Sequence, residues 1–122
     1  MSRVLIADDE SAMRSLVARA IAMDGHDIVT AEDGAEALDI LTREPGGFDL
    51  LLTDIKMPIM DGIALALAAA RDFPDLTILL MTGFADQRER AWFKSRLASP
   101  PPEGRNIDIR FFNKRDLAGG RA

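Results

Sequence analysis

Over its first ninety residues the chain alternates between two hydrophobic periods, and this limits the fold more than any single residue does. "RVLIA" (Arg3–Ala7), "DIVTA" (Asp27–Ala31), "DLLLTD" (49–54) and "LTILLM" (76–81) are short apolar runs bounded by charge or turn residues, the pattern of strands. Between them the period lengthens to that of helices. In "SAMRSLVARAIAMDG" the residues Met13, Leu16, Val17, Ala20 and Ile21 are predicted to face inward and Arg14 and Arg19 outward, with Gly25 ending the helix. "DGAEALDILTRE" is a second helix, stopped by Pro45 and Gly46-Gly47, and "DGIALALAAARDF" a third, ended before Pro74. Repeated βα units with connections of a few residues imply an α/β fold, a doubly wound and mostly parallel sheet with helices on both faces. Three consecutive leucines, Leu50 to Leu52, fit a strand buried on both sides. No repeat of fixed period interrupts this order.

The character changes after about Arg90. "AWFKSRLASPPPEGRNID" carries three consecutive prolines and little helical period, and "IDIRFF" (107–112) is predicted as a fifth strand. The remaining "NKRDLAGGRA" is too short and glycine-rich for a full closing helix. An irregular fourth helix and a missing or rudimentary last helix are therefore expected. The 122 residues suit one domain, regular over 1–90 and atypical over 91–122. A tail altered by a reading-frame change would explain the break.

Charge divides at the same place. Residues 1–86 hold 6 Lys/Arg against 16 Asp/Glu, whereas 87–122 hold 9 against 4. The acidic part excludes a nucleic-acid surface, and the basic end reads as a solvated tail. With no cysteine there is no disulfide, thiolate metal site or thiol nucleophile. No leader pattern and no bilayer-length apolar run are present, so a cytoplasmic protein without membrane contact is expected.

Candidate chemistry lies where strands stop on acids. Asp8 and Asp9 follow the first strand and Asp54 ends the third. With those strands adjacent, the three carboxylates converge at the carboxyl edge, where open α/β sheets bind ligands. Such a cluster repels itself unless a cation is present, and hard oxygen donors suit Mg²⁺. A carboxylate beside Mg²⁺ is a nucleophile toward phosphorus. Taken singly, Asp9 or Glu10 and Asp61 also read as helix caps, but Asp54 has no helix beside it. Thr82 after the fourth strand offers a hydroxyl at the same edge, and Gly83 allows close backbone approach. His26, the only histidine, is expected at the surface. Trp92, Phe93, Phe111 and Phe112 suit core packing or a stacking platform. Met57 and Met60 either fill space or serve a partner.

Asp8-Asp9, "LLLTDIKMPIMDG" around Asp54 and "MTG" with Thr82 together resemble the CheY-like receiver domain of two-component response regulators, over about residues 3–90. The resemblance implies the flavodoxin-like strand order 2-1-3-4-5. It makes Asp54 the phosphoacceptor from a histidine kinase or histidine phosphotransfer protein. Mg²⁺ would then be held by Asp8, Asp9, Asp54 and the backbone carbonyl of Lys56, and Thr82 would be the switch residue. Receivers carry a lysine after the fifth strand, usually followed by proline, with an aromatic switch three positions earlier. Lys114 and Phe111 have that spacing, but Arg115 stands where proline would.

"LLLTDIKMPIMDGIALA" and "ILLMTGFADQRERA" further resemble the CpdR group of alphaproteobacterial single-domain receivers, implying a phosphorelay end-point that controls ClpXP-dependent proteolysis. A stand-alone response regulator, monomeric or weakly dimeric and no enzyme beyond its own phosphorylation and dephosphorylation, is the resulting expectation. Two alternatives stay open: a degenerate receiver serving as a scaffold, and a Mg²⁺-dependent aspartyl-phosphate phosphohydrolase. The second is disfavoured by Lys56, which stands where haloacid dehalogenase-type enzymes place their second acid.

Overall fold

The structure, a computed structural model, describes residues 2–82 and a short strand at 111–113, with side chains described over 2–81. In chain order the described elements are β1 (Arg3–Ala7), α1 (Ser11–Ala22), β2 (Asp27–Ala31), α2 (Gly34–Arg43), β3 (Leu50–Asp54), α3 (Gly62–Asp72), β4 (Thr77–Thr82) and β5 (Phe111–Asn113). All pairings are parallel, in the order β2-β1-β3-β4-β5. The expected doubly wound α/β architecture is therefore present. Of the predicted fifth strand, residues 107–110 lie outside the described residues, as do the stretches expected to hold an irregular fourth and a rudimentary last helix.

Alternate strand residues serve opposite faces. Leu5, Leu51, Ile78 and Leu80 pack with Ala37, Ile40 and Leu41 of α2 and Ile63, Leu65 and Ala66 of α3. Val4, Ile6, Leu52 and Met81 pack on the other face with Val17, Ala18 and Ile21 of α1. Beyond their first residues, Arg3 and Leu50, β1 and β3 are buried on both faces, which is why their sequences show apolar runs instead of alternation. Each fully buried Val, Leu, Ile or Met side chain contributes roughly 1.5–3 kcal/mol by leaving water.

The inward face of α1 differs from the expected one. Val17, Ala18 and Ile21 face the sheet, Leu16 is 36% exposed, and Arg14 is turned in at the helix start. Residues 14, 17, 18 and 21 form a single helical stripe, which shares Val17 and Ile21 with the predicted 13-16-17-20-21 face and adds Arg14 and Ala18, while Leu16 turns outward. This stripe brings the Arg14 guanidinium to the carboxyl edge of β1. His26 is half-buried rather than a simple surface residue, its Nδ1 accepting from the Ser2 backbone N–H at 3.3 Å.

Both later helices begin on aspartates whose carboxylates occupy otherwise unpaired amide groups. Asp33 accepts from the Glu36 N–H at 2.8 Å, and Asp61 from the Ala64 N–H at 2.8 Å. Glu10 occupies the corresponding position of α1 without a side-chain cap bond.

Candidate metal centre at the carboxyl edge

β1 and β3 lie side by side with β2 beyond β1; β3 ends on Asp54, and Asp8 and Asp9 follow β1 directly. The crossover from β1 runs through α1 on one face, while that from β2 to β3 runs through α2 on the other. This is the topological switch point at which open α/β sheets accept ligands. There one carboxylate oxygen from each of Asp8, Asp9 and Asp54 lies within 4.8 Å of the others. Asp8 is fully buried, Asp54 is 6% exposed and Asp9 is exposed.

Three carboxylates this close repel one another, and low local polarity sharpens the cost for the two buried ones. A divalent cation removes it. An all-oxygen donor set with one side open to water fits Mg²⁺, which binds through few carboxylates and keeps several waters.

The acids are held from behind. The Asp8 N–H continues the β1–β2 ladder by donating to the Ala31 carbonyl at 3.1 Å, and Asp8 Oδ1 accepts from the Glu10 N–H at 3.0 Å. Arg14 Nη1 donates to the Asp8 carbonyl at 2.8 Å, while its Nη2 lies 3.6 Å from Glu32 Oε1. Arg14 thus ties the end of β1 to the loop after β2. Nothing in the hydropathy pattern singled it out; its spacing of three residues from Val17 was the available signal. At β3, Thr53 Oγ1 donates to the Asp54 carbonyl at 2.9 Å.

The loop from Ile55 to Asp61 folds back on Asp54. Its closing bond runs from the Gly62 N–H to the Ile55 carbonyl at 2.8 Å. A Cβ at Gly62 would overlap the Asp54 carbonyl oxygen, so only glycine permits this return. Across the loop, Gly34 at the start of α2 abuts the Met60 backbone. Met57 is buried and Met60 half-buried against the core, which assigns both to packing. The loop's outward aliphatic side chain is instead Ile59, which hydropathy alone did not distinguish.

The remaining candidates fall as follows. Lys56 is exposed on the same loop. Thr82 is the last residue of β4, one position beyond Met81, the register partner of Asp54, so its backbone stands at the carboxyl edge. Phe111 opens β5, opposite Leu80. Lys114, Gly83, Trp92 and Phe93 lie outside the described residues. No described helix is long and apolar enough to cross a membrane.

The family profile for the response regulator receiver domain matches residues 4–95. Response regulator receiver protein CpdR of Brucella abortus is 46% identical over 85 residues, 70% of this chain and 69% of CpdR. The transcriptional regulator NtrC of Escherichia coli is 40% identical over 83 residues, 68% of this chain but 17% of NtrC. Among solved structures, response regulator TrrA of Thermotoga maritima, determined with Mg²⁺ and a beryllium fluoride, superposes with a TM-score of 0.72 at 28% identity, covering 98% of this chain and 96% of TrrA. With the parallel order β2-β1-β3-β4-β5 and the acidic triad at its switch point, this chain belongs to the response regulator receiver domain family of two-component phosphorelay signalling.

Proposed function

We propose that Asp54 accepts a phosphoryl group from a phosphohistidine on a histidine kinase or phosphotransfer protein, and that the modified domain then exchanges protein partners. The observation that carries this is the oxygen cluster of Asp8, Asp9 and Asp54, drawn from two adjacent strand ends and backed by buried structure. A carboxylate oxygen of Asp54 attacks phosphorus, the P–N bond to the donor histidine breaks, and the imidazole leaves carrying the electron pair and takes up a proton. Asp8, Asp9, Asp54 and the Lys56 carbonyl are the groups that would hold Mg²⁺, which when bound supplies positive charge to the phosphoryl oxygens. Asp54 is presented end-on at the sheet edge, while Gly62 and the loop fix its backbone. Thr82 at the end of β4 is the nearest hydroxyl-bearing residue of the next strand, and Lys114 follows β5 by one residue. These two are the proposed readers of the acquired charge.

For output, the resemblance to CpdR supports protein–protein control, with ClpXP-dependent proteolysis as the specific process.

The test is intact mass after incubation with acetyl phosphate and Mg²⁺. One phosphoryl-sized gain is expected, absent in Asp54→Asn and absent in chelator. A gain that survives Asp54→Asn, or none under any condition while Mg²⁺ binds and hydrolysis is trapped by rapid acid quench, would remove the proposal in favour of a scaffold.

A further inference from the structure

Ile59 has φ +70°, the sole non-glycine positive φ among the described residues, and it is 84% exposed. The Met60 N–H donates to the Pro58 carbonyl at 2.7 Å, which closes a three-residue turn centred on Ile59. With positive φ at its centre this is the rare, strained form of γ-turn. A β-branched residue there is an outlier, because its two γ carbons crowd the backbone. An exposed isoleucine by itself needs no explanation. One kept in a backbone conformation that glycine or asparagine adopts more readily does.

The loop supplies no packing reason for it. Ile55 and Met57 are buried, Met60 packs on the core, and Ile59 is the aliphatic side chain left outside. Nor is it distant from the chemistry. The Gly62–Ile55 bond closes the loop on Asp54, so half its contour puts Ile59 no farther than about 12 Å from that strand end.

We infer that Ile59 is a specificity contact for the protein phosphodonor, held outward by the strained turn so as to enter an apolar recess beside the donor's phosphohistidine. This rests on Asp54 being the phosphoacceptor. The donor is the partner to which the inference commits, since it must bring phosphorus to bonding distance of Asp54 and thereby covers the loop. A downstream reader of the switch has no such obligation. Acetyl phosphate has no protein surface with a recess for Ile59 to enter, so the two donors separate docking from chemistry.

The experiment compares the wild-type chain with Ile59→Gly and Ile59→Val. The protein donor is a phosphohistidine-bearing phosphotransfer domain chosen from a panel because it labels the wild type. Ile59→Gly is expected to lower kcat/KM for transfer roughly tenfold, chiefly through KM, with acetyl phosphate labelling unchanged and thermal stability no lower. Ile59→Val, which keeps the apolar branch, should retain most of the transfer. Equal transfer by all three proteins overturns the inference, as does a parallel fall with acetyl phosphate, which would mean an effect on the site itself. If acetyl phosphate labels the wild type but no phosphotransfer domain does, the docking inference fails while Asp54 keeps its role. Failure of both donors on the wild type would instead strike the phosphoacceptor proposal.

Discussion

Arg14 joins three parts of the site through a single guanidinium: it sits on α1, holds the Asp8 carbonyl and approaches Glu32 beyond β2. Hydrogen bonds from charged donors contribute about 1.5–3 kcal/mol, more than a surface ion pair does. Most of its value should therefore come from the bond to the Asp8 backbone. Outer groups that orient metal ligands typically cost tenfold or more in affinity when removed. Arg14→Ala is accordingly expected to weaken Mg²⁺ binding about tenfold by isothermal titration calorimetry, with stability lower by roughly 1–2 kcal/mol in urea. Unchanged Mg²⁺ affinity would make Arg14 a fold brace only. Its place was hidden in the sequence for a physical reason. Leu16 outweighs Ala18 in hydropathy, so the apparent apolar face of α1 is centred slightly to one side of the one that packs, and a charged residue inside the true stripe reads as an outward one.

At the scale of elements, the passage from β3 to α3 does the most to present Asp54. Asp61 caps α3, Gly62 lies against the Asp54 carbonyl, and Gly34 receives the Met60 backbone from across the loop. Gly62→Ala must push the helix start away from the strand end. It is expected to cost about 3 kcal/mol, the upper end for overpacking, and to abolish acetyl phosphate labelling even where the protein remains folded. Labelling at the wild-type rate would show that this close approach is dispensable. Asp61→Ala removes only a cap and should cost about 1 kcal/mol in urea while sparing the labelling.

The helix starts and the strand ends of this passage were legible in "LLLTDIKMPIMDG", because proline, aspartate and glycine act through local backbone preferences. The division of labour among Met57, Ile59 and Met60 was not. All three are apolar, and which of them turns inward depends on where Gly34 and the core meet the loop, a contact between residues more than twenty positions apart.

For the whole molecule, the burial of both sheet faces made the first four strands and their βα order readable, and parallel pairing followed from the short connections. The convergence of Asp8, Asp9 and Asp54 followed in turn, since strand adjacency alone brings those ends together. Residues past Thr82 gave a weaker pattern, with proline and glycine replacing apolar period, so Lys114 and Phe111 rested on spacing alone.

The acidic triad also links ligand and stability. A cation that binds the folded cluster and not the dispersed acids of the unfolded chain stabilises by RT ln(1 + [L]/Kd), about 2.7 kcal/mol at a hundredfold excess over Kd. Mg²⁺ at that level should raise Tm by roughly 10 °C for a domain of this size, and the rise should vanish in Asp9→Ala. An equal rise in Asp9→Ala would place the ion elsewhere.

The most direct test of the central claim is to reduce the acetyl phosphate-treated protein with borohydride and map the product by tandem mass spectrometry. An acyl phosphate on aspartate is reduced to the alcohol, and residue 54 alone is expected to be converted, in a Mg²⁺-dependent manner. Conversion at Asp8 or Asp9, or a stable phosphoryl group on a serine or threonine with residue 54 intact, would contradict the assignment of Asp54 as the phosphoacceptor.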